Sequence, residues 1–163
     1  MNNPTSQVQK QDNLFIHPWD NFQNLGNNQR TVVEKGDGIY IYDSQGNRSI
    51  DGPSGMWCVN IGHGRKEMAQ AIYDQVMQLP FTSPWSMATS PAAQFSQALA
   101  AEAPGDLNHA FLTTCGSTAV DSALRFVQFY NNYRGKPEKK KIISRLKGYH
   151  GSTYLSASVS GKE

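Results

Sequence analysis

The feature that most constrains this chain lies in its last third. There a strand-like run is followed twice by a glycine-bearing junction and then by a helical run. His109-Ala110-Phe111-Leu112-Thr113 reads as a strand, and Ser117 to Tyr133 as a helix with Val120, Leu124 and Val127 on one face. Lys141-Ile142-Ile143-Ser144 reads as a second strand, and Gly148-Tyr149-His150-Gly151-Ser152 as a loop before a small-residue helix. Strand–helix–strand–helix implies a parallel sheet with helices on its faces. Two strands do not complete such a sheet, whose faces must both be covered, and Val159 to Glu163 shows no settled terminus. The expectation is the N-terminal part of a larger α/β protein.

The preceding residues follow another pattern. Residues 1–13 are rich in Asn and Gln and lack periodicity, so a flexible arm is expected there. Ordered structure is expected to begin at His17-Pro18-Trp19, because Pro18 biases His17 to an extended conformation. Thr31 to Lys35, Gly38 to Tyr42 and Arg48 to Asp51 are short β-like runs, and Asp43-Ser44-Gln45-Gly46-Asn47 is a turn signal between the last two. A small antiparallel sheet follows from this pattern. Pro53 to Gly64 is a glycine-punctuated loop. Met68, Ile72, Val76 and Leu79 then mark one face of a helix from about Arg65 to Leu79, which Pro80 stops. Phe81 to Thr89 is an aromatic loop, and Ser90-Pro91 opens a helix with Ala92, Phe95 and Leu99 facing inward. The expected divisions are an arm (1–13), an N-terminal small-domain segment (14–64) and the start of a large domain (65–163).

Composition narrows the function classes. Fifteen basic against 13 acidic residues leave a charge of +2, too small for an electrostatic grip on nucleic acid or an anionic membrane. No apolar run approaches the ~20 residues that span a bilayer. The polar N-terminus is no secretory signal. Cys58 and Cys115 are far apart with no C-x-x-C, which favours free thiols and a cytoplasmic location. Four scattered histidines show no metal-ligand spacing.

Two junctions carry the chemistry. In Thr113-Thr114-Cys115-Gly116-Ser117-Thr118, Gly116 admits close approach of a ligand to the backbone, and Ser117 and Thr118 offer hydroxyls. The unpaired N–H groups of the helix start favour an anion, so the junction suits a phosphate; an ordinary N-cap after a strand is the competing reading. It is not a Walker A loop, because no Gly-Lys-Ser/Thr follows. Tyr149-His150 sits at the next strand-to-helix junction, on the sheet edge where open α/β folds bind ligands. A tyrosine ring there can stack on a planar heterocycle, and His150 is a proton carrier or a structural hydrogen-bond partner. A packed loop aromatic is the alternative for Tyr149.

Three blocks in order make the chain resemble the class III aminotransferases: Gly55 to Gly64, Gly116 to Arg125, and Gly148 to Thr153. The Trp57-Cys58-Val59-Asn60 piece is similar to the ω-amine:pyruvate subgroup. The resemblance covers nearly everything from Leu14 onward. It implies fold type I, pyridoxal 5'-phosphate as cofactor, and transfer of an amino group from an amine or ω-amino acid to pyruvate or a similar 2-keto acid. Gly116 and Ser117 inherit the cofactor's phosphate, Thr118 departs mildly from the family pattern as a further hydroxyl donor, and Tyr149 with His150 inherits the ring. Trp19, Trp57 and Trp85 are placed around the substrate pocket, with Trp85 reaching from a partner subunit in a homodimer or tetramer. The family's catalytic lysine lies beyond residue 163, so no residue of this chain is assigned a catalytic role; the nine lysines sit in the arm, in turns and in a charge run. Aminomutase or decarboxylase chemistry stays open within the family. A non-catalytic phosphate- or nucleotide-binding module and a structural assembly fragment are the alternatives from other classes.

Overall fold

The computed structural model describes residues 4–161. The chain divides into two units, Met1–Thr82 and Ser83–Glu163.

The first unit is organised on a three-stranded antiparallel sheet in the order β1 (Val33–Asp37), β2 (Tyr40–Asp43), β3 (Arg48–Ile50). Asp37 pairs with Tyr40 across the first turn, and Tyr40 with Ile50 across the second pair of strands, with a register shift between Val33 and Lys35. The β2–β3 turn is made by Asp43, whose carboxylate accepts the backbone N–H of Gln45 at 2.9 Å and of Asn47 at 2.8 Å. This side-chain mimicry of a backbone turn is why Asp and Asn recur at such positions. The expected hairpin is present.

Where an aperiodic arm is expected, Pro4–Asp12 forms helix α1; Met1 to Asn3 lie outside the described residues. Its anchors are non-local: the Thr5 hydroxyl donates to Ser44 Oγ at 3.0 Å, and Gln9 Nε2 donates to the Arg30 carbonyl at 3.5 Å. The Pro53–Gly64 segment contains one helical turn, α2 (Ser54–Trp57), and α3 (Lys66–Gln78) closes the unit.

The second unit holds α4 (Ser90–Glu102), α5 (Gly116–Tyr133) and the short α6 (Tyr154–Ser158), which packs on α5. Thr89 rather than Ser90 caps α4, so Pro91 falls one residue inside the helix start. The two runs expected as parallel strands, 109–113 and 141–144, form no ladder among the described residues. A strand exists only against a neighbour, and parallel strands require cover on both faces. Phe111 and Leu112 are exposed and Ile143 is 98% exposed, so neither condition is met within the unit. The inward faces expected on α3 and α4 are likewise uncovered: Met68, Ile72, Val76, Phe95 and Leu99 are all exposed. Among the described residues no apolar side chain is fully buried; the buried polar ones are Asn131 and Ser156.

Candidate functional site

The N-terminus of α5 is built by its cap. Cys115 is extended and serves as N-cap, its sulfur accepting the Thr118 N–H, while the Thr118 hydroxyl accepts the Cys115 N–H at 3.1 Å. The same hydroxyl donates to the Cys115 carbonyl at 2.9 Å. Thr118, expected to supply a further hydroxyl donor to a ligand, instead has its hydroxyl engaged locally, by the Cys115 carbonyl, by Thr114 Oγ1 at 3.3 Å and by the Cys115 sulfur at 3.6 Å. The Thr118 backbone N–H and then its hydroxyl hold the exposed Cys115 thiol below its ordinary range.

Gly116 and Ser117 are arranged differently. A Cβ on Gly116 would meet nothing within 4 Å, so the space in front of its backbone is open. Ser117 Oγ accepts the backbone N–H of Ser152 at 3.0 Å, which leaves its own hydrogen to donate. Ser152 Oγ in turn pairs with the Tyr149 hydroxyl at 2.7 Å. Ser117, Ser152 and Tyr149 thus form one hydrogen-bonded chain from the helix start to an aromatic ring.

The loop that carries Tyr149 is held against α5 by a polar knot. Ser156, fully buried, donates its N–H to Asp121 Oδ1 at 2.7 Å and pairs through Oγ with Thr153 Oγ1 at 2.8 Å. Asp121 lies one turn beyond Ser117, on the same helix face. Ser160 Oγ accepts the His150 N–H at 3.0 Å and donates to the Ser156 carbonyl at 2.9 Å. Gly151 has φ 138°, and a Cβ there would stand 2.9 Å from Ser117 Cα and 2.3 Å from Ser156 Oγ. Only glycine lets the loop come this close to the helix. His150 joins the knot through its backbone, while its Nε2 is buried without a hydrogen-bond partner among the described residues and 2.9 Å from where a Gly148 Cβ would stand. Sequence reasoning missed Ser152 and Asp121. The i, i+4 spacing of Asp121 from Ser117 was its one local signal; Ser152 had none.

This arrangement suits a phosphate ester on a flat ring. A helix N-terminus with an open glycine and a serine hydroxyl free to donate receives the anion, and the tethered tyrosine provides a face nearby.

The profile of the class III aminotransferase family matches residues 22–163. The chain belongs to the class III aminotransferases. These enzymes depend on pyridoxal phosphate. The putrescine–pyruvate aminotransferase of Pseudomonas aeruginosa is 40% identical over 147 residues, which is 90% of this chain and 32% of that protein. A crystal structure of the Pseudomonas jessenii ω-transaminase in complex with PMP superposes with a TM-score of 0.90 at 34% identity, covering 95% of this chain and 35% of that one. A thermostable ω-transaminase variant with a tryptophan replaced by glycine, engineered for asymmetric synthesis of enantiopure bulky amines, superposes equally, with TM-score 0.90, 34% identity and the same coverage. The chain spans about a third of the length of these relatives. Its fold is that of the type I transaminases, of which it holds the small antiparallel sheet and the helices that follow it.

The tryptophans of this class III chain stand apart from the start of α5 in sequence and are all exposed, Trp57 by 75% and Trp85 by 95%. Trp19 and Trp57 belong to the first unit and Trp85 to the second. Trp19 has φ 63° between His17 and Asp20, and Arg30 pairs with both Asp20 and Asp12, which accepts His17 Nε2 at 2.8 Å. Trp57 ends α2, which is a left-handed turn: φ is 48°, 56°, 70° and 64° at Ser54, Gly55, Met56 and Trp57. Three of these four are not glycine, and each costs about 1–2 kcal/mol in this conformation. Strain of that kind concentrates at binding and catalytic sites.

Proposed function

We propose that this chain supplies the phosphate cradle and part of the substrate wall of a pyridoxal-phosphate-dependent aminotransferase. Its reaction moves an amino group from an amine or ω-amino acid to pyruvate or a similar 2-keto acid. The observation that carries the reading is the chain Ser117–Ser152–Tyr149, which links an anion-binding helix start to an aromatic ring through bonds of 3.0 and 2.7 Å. When bound, the cofactor supplies an electron sink for the amine-bearing carbon. The protein's part is placement. Gly116 and Ser117 take the phosphate, Ser152 fixes Tyr149 against the ring, and Asp121 holds the loop through Ser156. Thr118 keeps the helix capped, and His150 supports the loop that carries Tyr149.

No described lysine is buried; Lys162 lies outside the described residues. We assign the lysine that carries the cofactor to sequence beyond this chain. The 40% identity to a putrescine–pyruvate enzyme supports a slim amine donor and a pyruvate acceptor. The exposed Trp57, Trp85 and Trp19 are read as walls of the amine pocket. The crowded exposed apolar residues Phe81, Trp85 and Met87 support assembly as a homodimer or dimer of dimers, since aromatics and Met are enriched at interfaces. Two free cysteines support a cytoplasmic location.

The test is conversion of pyruvate to alanine by the full-length holoenzyme with a linear diamine as donor. Stoichiometric alanine supports the reading. Consumption of the diamine without alanine refutes transamination to pyruvate.

A further inference from the structure

The strained turn before Trp57 is bolted to the sheet at both ends. At one end the Asp51 N–H donates to the Ile39 carbonyl at 2.9 Å. At the other, His63 and Gly38 exchange both backbone bonds, at 2.8 and 3.1 Å. The His63 ring lies over Gly36 so closely that a Cβ there would stand 2.5 Å from Cγ. The side chains of the two anchors meet: Asp51 Oδ2 and His63 Nε2 are 2.8 Å apart, and the Asp51 side chain is only 8% exposed. The second oxygen of Asp51 reaches into the turn and accepts the Gly55 N–H at 3.2 Å, while the Asp51 carbonyl accepts the Ser54 N–H at 3.1 Å. Inside the turn, Trp57 N–H donates to Pro53 and Cys58 Sγ–H to the Gly55 carbonyl. The indole is 75% exposed, so little packing from the described residues fixes it and the course of the backbone largely decides where it stands.

We propose that Asp51 and His63 are positioning residues: the pair holds the left-handed turn, sets where the Trp57 indole stands, and so sets how large an amine donor the enzyme accepts. Asp51 is the working member, because one carboxylate serves both the sheet-anchored His63 and the Gly55 amide. His63 orients that carboxylate from a ring seat that only glycine at position 36 leaves open. The proposal rests on the reading of Trp57 as a wall of the amine pocket.

The experiment uses the full-length holoenzyme with pyruvate and two donors, a linear diamine and an aryl-alkyl amine. Wild type, Asp51→Ala, Trp57→Ala and the double variant are compared. Asp51→Ala is expected to lower the kcat/KM preference for the slim donor about tenfold with Trp57 present and less than twofold in the Trp57→Ala background. Asp51→Asn, which keeps an acceptor for Gly55, is expected to restore most of the preference. Amide exchange of residues 52–58 is expected to accelerate at least tenfold in Asp51→Ala. An equal loss on both donors in both backgrounds, with unchanged exchange, overturns the proposal while leaving Trp57 in the pocket. A Trp57→Ala variant with unaltered preference overturns the pocket reading and the specificity role with it. If Asp51→Ala yields no holoenzyme, His63→Ala carries the same test, because its backbone bonds to Gly38 survive the substitution.

Discussion

Replacing Ser117 with alanine separates holding the cofactor from holding the helix. The Ser117 hydroxyl accepts one hydrogen bond, from Ser152 N–H at 3.0 Å, and offers its own hydrogen outward. Its loss removes one hydrogen bond to a charged phosphate, worth about 1.5–3 kcal/mol. That corresponds to a rise of roughly 10- to 150-fold in the cofactor's Kd, at about 1.4 kcal/mol per tenfold. The Ser152 N–H left behind belongs to an exposed residue, so water replaces the lost acceptor at little cost. Alanine at this second helical position is a better helix former by a few tenths of a kcal/mol. Ser117→Ala should therefore lose cofactor while its Tm in the apo form stays level or rises slightly. Thr118→Ala is the opposite case. It breaks the capping box with Cys115 and should cost about 0.5–2 kcal/mol of stability, with cofactor retention changed less than threefold. Equilibrium dialysis followed by the cofactor's absorbance, with thermal melts of the apo forms, measures both variants. If Thr118→Ala loses cofactor without destabilising, or Ser117→Ala retains it, this division of labour between the two hydroxyls is wrong.

Gly116→Ala has room in the apo protein, where the new methyl meets nothing within 4 Å. Apo stability should hold or rise by up to about 1 kcal/mol, while cofactor affinity falls because the methyl occupies the anion's space; isothermal titration with pyridoxal phosphate checks it. Cys115 has its thiol pulled below the ordinary range by the Thr118 N–H and hydroxyl, so thiolate persists to lower pH than in a free cysteine. Its alkylation rate in the apo enzyme should rise with pH and level off below the usual thiol range. Thr118→Ala should move that inflection upward and bound cofactor should slow the reaction, as peptide mass spectrometry of the labelled site would show. Borohydride reduction of the full-length holoenzyme should label no lysine between positions 1 and 163, and a stoichiometric label in this span would relocate the nucleophile.

What could be read ahead of the structure was whatever a residue decides with its nearest neighbours. The Asp43–Asn47 turn, the start of α5 and the stop of α3 before Pro80 depend on groups bonding within four residues of themselves; the turn and the stop are where the spacing placed them, and α5 begins at Gly116, one residue before the expected Ser117. What failed was decided at a distance. Helix α1 is too polar to announce itself by periodicity, and it is tied through Thr5 to Ser44 and through Gln9 to Arg30. Within Ser54–Trp57, Gly55 signalled one left-handed residue at most. Four in succession, three with side chains, persist because Asp51 and His63 bring the sheet to bear on the turn from outside it. The candidate site splits the same way. Gly116 and Ser117 could be named from one helix start, whereas Ser152 and Asp121 enter only when a loop some 35 residues further along is folded back onto that helix. Local chemistry therefore points to which residues are offered to a ligand, and the residues that hold them in place are found where two distant segments share a hydrogen bond. By that logic the useful mutations for reshaping this enzyme lie as much at Asp51 and Asp121, which act through other residues rather than on the substrate, as at Trp57 and Ser117.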